Sequence, residues 1–464
     1  MNENSQAISP APISSLGYPT KLISTSETYE SVTDEIGSIV LTKPQPKSWW
    51  FGAAVAFSLL MLFMFAICWL FYRGVGIWGI NVPIAWGFAI VNFVWWVGIG
   101  HAGTFISAVL LLLHQKWRTS INRFTETMTL CAISCAGLFP LLHLGRPWVF
   151  YWMFPYPDTM GLWPQFRSPL IWDMFAVGTY FLVSLIFWYS GLLPDLATLR
   201  DRARTRGKKL FYGVLSLGWR GSAAHWQNHQ TAYLLLAGIA TPLVLSVHSV
   251  VGLDFAVAMV PGWHETIIPP YFVAAAIYSG FAMMLNIIIP IRKIYKLENL
   301  ITQRHLNNMA NAMLVMGMMV AYSYIVEEFM AWYSGDIFEE YAMANRAFGS
   351  YGWFFWALIV INVLVPQALW SRRVRTNPVA LFFVALSANV GMWVDHFVTI
   401  VVSLTRDFDP AIWRMYYPTF WDWAMLFGSI GLFLMLIFLF IRFLPVIAIS
   451  ETRKEVSAIK KQST

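Results

Sequence analysis

Cysteine is almost missing from this chain: Cys68, Cys131 and Cys135 are the only three in 464 residues, with no CxxC or CxxCH spacing. That excludes a home-grown iron–sulfur cradle and a c-type haem attachment. Cys131 and Cys135 stand four apart, on one face of a helix, which reads as packing. Charge is also scarce, at 12% Asp, Glu, Lys and Arg, about half the share of a soluble domain. A soluble enzyme is excluded on that ground. No cleavable leader pattern opens the sequence. Residues 1–48 are polar and rich in Ser, Thr and Pro, and read as a cytoplasmic tail that orders only against a partner.

What the chain does have is apolar length. Hydrophobic residues make up 58% and aromatics 17%, and a run of roughly 20 apolar residues spans a ~30 Å hydrocarbon core as a helix. Such runs recur at 49–71, 83–113, 124–144, 169–193, 229–252, 269–291, 308–333, 350–370, 378–404 and 420–444. The expected fold is an all-α integral membrane protein with ten transmembrane helices. Pro83, Pro169, Pro270 and Pro378 fall near first-turn positions, where a missing N–H does no harm. Ser168 and Asn377 are N-cap candidates, Thr419 with Asp422 resembles an acidic capping box, and Gly145 can end the third helix as a left-handed cap.

The net charge of +7 is not a nucleic-acid signal, because the cations sort by loop. With the N-terminus inside, the inner segments carry 25 of the 31 Lys and Arg, seven of them between Arg200 and Arg220. The outer loops keep six: Arg73, Arg146, Arg167, Arg346, Arg406 and Arg414. The positive-inside rule then puts both termini of the multi-pass protein in the cytoplasm.

Helices 2–3 laid over helices 6–7 show a weak repeat. Both pairs pass through a basic inner loop and end in a polar element, His143–Arg146 in one and Glu327-Glu328 in the other. An even number of helices between the copies makes the repeat parallel. The expected division is a tail at 1–48, a four-helix bundle at 49–193, a basic loop at 194–228, a second four-helix bundle at 229–371, two further helices at 372–446 and a second tail at 447–464.

Ionisable groups inside spans cost several kcal/mol unless paired or hydrated, so each asks for a reason. His143 lies in the last turn of helix 3, Asp173 about one turn inside helix 4, and Asp254 just after helix 5, all at the expected outer level. His248 lies about two turns deeper. A histidine opposite a carboxylate at that depth suits a two-proton, two-electron quinol: the imidazole takes one hydroxyl proton and the carboxylate takes the other or fixes the tautomer. Arg146 either snorkels to lipid phosphate or tunes Asp173 or Asp254 by an ion pair. His101, Glu327, Glu328, Asp395 and His396 are candidates for a proton path. A bis-histidine haem is disfavoured, since no two histidine-bearing helices show a convincing paired spacing.

With Leu142-His143-Leu144-Gly145-Arg146-Pro147 and the aromatic run from Trp148 to Trp152, the chain resembles the NrfD/PsrC-like membrane subunits of bacterial respiratory complexes over roughly residues 49–370. The extra helix pair and the polar N-terminal tail resemble the ActC branch of that family, the quinol-oxidising subunits of alternative complex III, more than its paralogous ActF branch. The resemblance implies oxidation of menaquinol or another quinol near the outer face, with His143 as the quinol-site histidine and Asp173 and Asp254 as its acidic partners. It further implies an iron–sulfur subunit on the periplasmic face, c-type haem subunits beyond it, a paralogous NrfD-like membrane subunit alongside, and no haem or iron–sulfur cluster in this chain. Against it stand a quinone-reducing relative, a secondary transporter and a structural anchor.

Overall fold

Hydrocarbon offers backbone N–H and C=O groups no partner, so long apolar runs close their hydrogen bonds internally as helices. The computed structural model describes residues 22–23, 27–153 and 168–463, the side chains at 152–153 and 458–463 excepted. Half of the expected N-terminal tail and Arg167 lie outside the described residues, as does the side chain of Trp152 at the end of the aromatic run. Within them the regular elements are helical: α1 (Tyr29–Leu41), α2 (Lys47–Arg73), α3 (Phe88–Leu112), α4 (Asn122–His143), α5 (Pro169–Arg202), α6 (Arg206–Leu215) and α7 (Ala223–Ala256). They continue with α8 (Ile268–Ile294), α9 (Gln303–Ser334), α10 (Ile337–Phe348), α11 (Gly352–Trp370), α12 (Pro378–Val402), α13 (Phe420–Phe443) and α14 (Ile449–Ser463). Ten of these, all but α1, α6, α10 and α14, are long and apolar enough to cross a membrane. The protein is an all-α, multi-pass membrane protein.

Helix ends follow local chemistry. Asn377 accepts from the backbone of Val379 and Ala380 ahead of α12, Thr419 and Asp422 form a reciprocal capping box on α13, and Gly145 takes φ +68° just past α4. Ser168 occupies the N-cap position of α5 without a side-chain bond. Pro83 departs from expectation, because α3 starts five residues later at Phe88. The polar groups before it are tied elsewhere: Gly79 N–H donates to Asp422 (2.9 Å) and the Asn81 amide to the Met415 carbonyl (3.1 Å).

The grouping of helices differs from the expected one. α3, α4, α5 and α7 close one four-helix ring, and α8, α9, α11 and α12 close a second. α2 packs instead on α13, outside both rings. The repeat unit is therefore spans two to five followed by six to nine, and the boundaries at 49–193, 229–371 and 372–446 do not follow the packing. Chain order is a poor proxy for neighbourhood here, because the first span finds its partner in the last. The rings meet along α3 and α8, whose apolar windows are 78% and 83% buried, against 22% for α2 and α5. Close approach rests on small residues: a Cβ on Gly280 of α8 would lie 1.9 Å from that of Ala102, and one on Gly103 2.2 Å from the Thr125 carbonyl.

The end segments are also more built than the sequence suggests. Val32, Ile36 and Ile39 of α1 are buried, and α1 packs on α14. The second half of the N-terminal tail thus orders against the chain's own C-terminal helix. Both described ends lie on one face, hereafter the terminal face. The Leu142–Pro147 motif lies on the opposite, motif face.

Candidate functional site

The end of α4, the start of α5 and the end of α7 converge on the motif face around a cavity of about 510 Å³. Phe93, Val94, Met174 and Val177 form apolar walls, and His143, Asp173 and Asp254 supply its ionisable groups. The His143 ring stacks on Trp78, 6.2 Å between centroids and 9° between planes, which fixes its orientation. Asp173 and Asp254 bring two carboxyl groups to the one cavity. His143 Nδ1, Asp173 Oδ1 and Asp254 Oδ1 are all buried without a hydrogen-bond partner among the described residues. Three orphaned polar atoms at one apolar cavity are what a ligand with hydroxyl or carbonyl groups would satisfy.

Two expected members do not line this cavity. Arg146 is exposed beyond it. His248 lies deeper and meets His101, Nδ1 to Nδ1 at 2.9 Å, a hydrogen-bond contact that the chain order of α3 and α7 does not reveal. Tyr180 donates to the His101 carbonyl at 3.0 Å. Phe272 touches both His248 and His396, with centroids 6.0 and 5.7 Å away, and so bridges the two rings of helices.

Asp395 and His396, adjacent on α12, stand within 3.3 Å of each other. Asp395 accepts from Tyr271 and, at 3.0 Å, from Tyr324, which in turn accepts from the Asn362 amide at 3.1 Å. Tyr271, Tyr324 and Asn362 escape sequence reading because tyrosines and a lone asparagine are ordinary in membrane helices. A cavity of about 320 Å³ rises from Tyr324 and Asp395 to Glu327, Glu328 and Arg346 at the motif face. Its walls include Ile359, Val363, Val398 and Thr399, which belong to two π-helical stretches, Ile359–Leu364 and Val398–Val402. Such stretches are frequent at functional sites.

Arg346, counted among the outer-loop cations, is 3% exposed and holds Glu327 at 2.5 Å and Ser403 at 2.9 Å. Its neighbour Glu265 carries no signal in the sequence. That side chain is buried in the loop before α8 with both carboxyl oxygens unpartnered; burial, then repulsion from Glu327, push its pKa up to about 9.

The terminal face hides a second constellation that sequence reasoning missed. Arg123 binds Glu126 (3.1 Å) and Asp195 (3.2 Å), and Arg118 binds Glu451 of α14 (2.5 Å). Tyr233 and Ser107 each donate to Glu126 at 2.7 Å. Burial works to raise the Glu451 carboxyl, but Arg118 and Arg123 outweigh it and hold the pKa below the ordinary value. The Arg123/Glu126 spacing on one helix is a usable signal; Asp195 and Glu451 are too distant in sequence to join it.

Ten spans, two four-helix rings and a polar-edged cavity at one membrane face define a multi-pass membrane protein with a candidate small-molecule site. The family model for polysulphide reductase NrfD matches residues 76–407, and the chain belongs to that family. A Halobacterium salinarum protein, provisionally named as a membrane subunit of a dimethyl sulfoxide reductase, is 32% identical over 208 residues. The match covers 45% of this chain and 43% of that relative, so the chain spans less than half of the relative's length.

Proposed function

We propose that this chain is the quinol-oxidising membrane subunit of a respiratory electron-transfer complex of the alternative complex III type, in a bacterial inner membrane. The observation that carries the reading is the meeting of His143, Asp173 and Asp254, each with an orphaned polar atom, at one apolar cavity. Its volume falls within the ~300–1,000 Å³ usual for small-molecule sites, and an isoprenoid tail, as on menaquinol, suits its walls. Oxidation of a quinol to a quinone releases two protons and two electrons. His143 Nδ1 accepts one hydroxyl proton, and Asp173, with Asp254 beside the same cavity, accepts and relays the other. The electrons pass to an iron–sulfur subunit docked on the motif face and on to c-type haem subunits, with a paralogous NrfD-like subunit alongside. His101, Asp395, His396, Glu327 and Glu328 form the candidate route for coupled proton movement.

In the purified complex, Asp173→Asn lowers quinol oxidation by about 10²–10⁴-fold, the usual worth of an acid–base group, and Asp173→Glu retains more. Normal turnover in an assembled H143A/D173N double variant would return both residues to structural duty. Reporter fusions after Lys209 and Met259 test the sidedness, with cytoplasm and periplasm expected. The Halobacterium relative's name favours a second reading, in which quinol electrons from the same cavity feed a reductase on the motif face; quinone reduction is the reverse reaction at that cavity. The potential of the partner's first redox centre relative to the quinone pool separates the two directions.

A further inference from the structure

Away from the motif face, a cavity of about 320 Å³ opens on the terminal face between the end of α5, the turn before α7 and the start of α14. Four cations line it, Arg200, Arg220, Arg453 and Lys454, against one carboxylate, Asp201. Arg200 is held by Asp201 at 2.8 Å and by the Trp219 carbonyl at 3.1 Å. The others keep donors free. The Arg220 guanidinium has no partner among the described residues, Arg453 bonds Thr33 through Nε alone, and Lys454 rests 4.9 Å over the Trp226 ring. Burial, and then repulsion from Arg202, lower the Arg453 pKa. The indole nitrogens of Trp219 and Trp226 converge on Gly221, and neither has an acceptor among the described residues. The cavity is thus lined by hydrogen-bond donors aimed at an anion.

The neighbouring helix says what kind of anion. α6 places Lys208 and Lys209 among Leu210, Phe211 and Val214, which with Leu217 are 47–70% exposed. A short helix that exposes apolar side chains and carries cations is built to lie in the membrane interface, and tryptophans beside it mark the same level.

We infer that this cavity binds the phosphate of an anionic phospholipid headgroup, with the acyl chains running over the exposed side chains of α6. A soluble phosphate would satisfy the cations but leave α6 unexplained. The site is independent of the redox reading, and its test does not use turnover. The complex containing the full chain is purified in mild detergent, exchanged into phosphatidylglycerol or phosphatidylcholine, and weighed intact by native mass spectrometry during lipid titration. Phosphatidylglycerol is expected to bind at least tenfold more tightly than phosphatidylcholine. The R220Q/K454Q variant is expected to lose about tenfold or more, given roughly fivefold per removed cation near an anionic headgroup. Lys209→Gln, exposed on the same face but outside the cavity, is expected to change binding less than twofold. Equal affinity for the two lipids, an unchanged double variant that assembles normally, or displacement of phosphatidylglycerol by millimolar inorganic phosphate would overturn the assignment.

Discussion

Two regions of this protein bury several ionisable groups, and they do it in opposite ways. On the terminal face, Arg118, Arg123, Glu126, Asp195 and Glu451 each have an opposite charge within 3.2 Å. At the motif-face cavity, His143, Asp173 and Asp254 each leave a buried polar atom without a partner among the described residues. Removing one member of a buried ion pair strands the other, whereas an unsatisfied atom beside a cavity waits for something from outside. The first arrangement holds helices together. The second leaves polar atoms open to a ligand.

Paired substitutions can break that distinction. The largest effect is expected at His143→Ala, a loss of about 10²–10⁴-fold in quinol oxidation with little change in the melting temperature of the complex. Arg123→Gln should do the reverse. It strands Glu126 and Asp195 and lowers stability by about 3–5 kcal/mol, read by thermal melting in detergent, while the folded fraction keeps its turnover per molecule. If both variants lost activity and stability together, the two regions would not be different in kind.

Glu265 sharpens the comparison with a pH dependence. Its folded pKa of about 9 lies above the ordinary glutamate value of 4.5, so the unfolded chain gives up this proton first as pH rises. Stability from the neutral buried carboxyl is complete below about pH 4.5, drains away through the interval up to about 9, and is flat beyond. Glu265→Gln should remove that slope, so melting at pH 5 and pH 9 differs less in the variant than in the wild type. The smallest effect belongs to a site outside both regions: Asn377→Ala loses two backbone hydrogen bonds at α12, about 1 kcal/mol, and leaves turnover untouched.

Apolar periodicity and helix punctuation make the ten spans readable, and the His143, Asp173 and Asp254 levels follow from counting turns. Contacts between distant spans are not readable that way. Depth along a helix is set by sequence, but azimuth and neighbour are set by packing, so turn counting puts His248 near the cavity when it faces His101. Arg346 looks like a loop cation because nothing local announces Glu327, nineteen residues earlier, as its partner. Tyr271 and Tyr324 become visible only through Asp395, on a third helix. The grouping into rings fails for the same reason, since α2 and α13 are the two most separated spans in the chain.

That last pairing bears on how the protein is made. Ribosomes deliver α2 to the bilayer first, yet its main protein surface, α13, emerges some 350 residues later. Until then the helix must reside among lipids alone. Its mean hydropathy of 2.5 and the 22% of its apolar window that is ever buried suit a segment that lipid can solvate indefinitely. Arg118 waits in turn for Glu451, which follows the ten spans, whereas Arg123 meets Glu126 and Asp195 much earlier. One late helix, α14, thus both completes the ion network and clasps α1 after the ten spans are made.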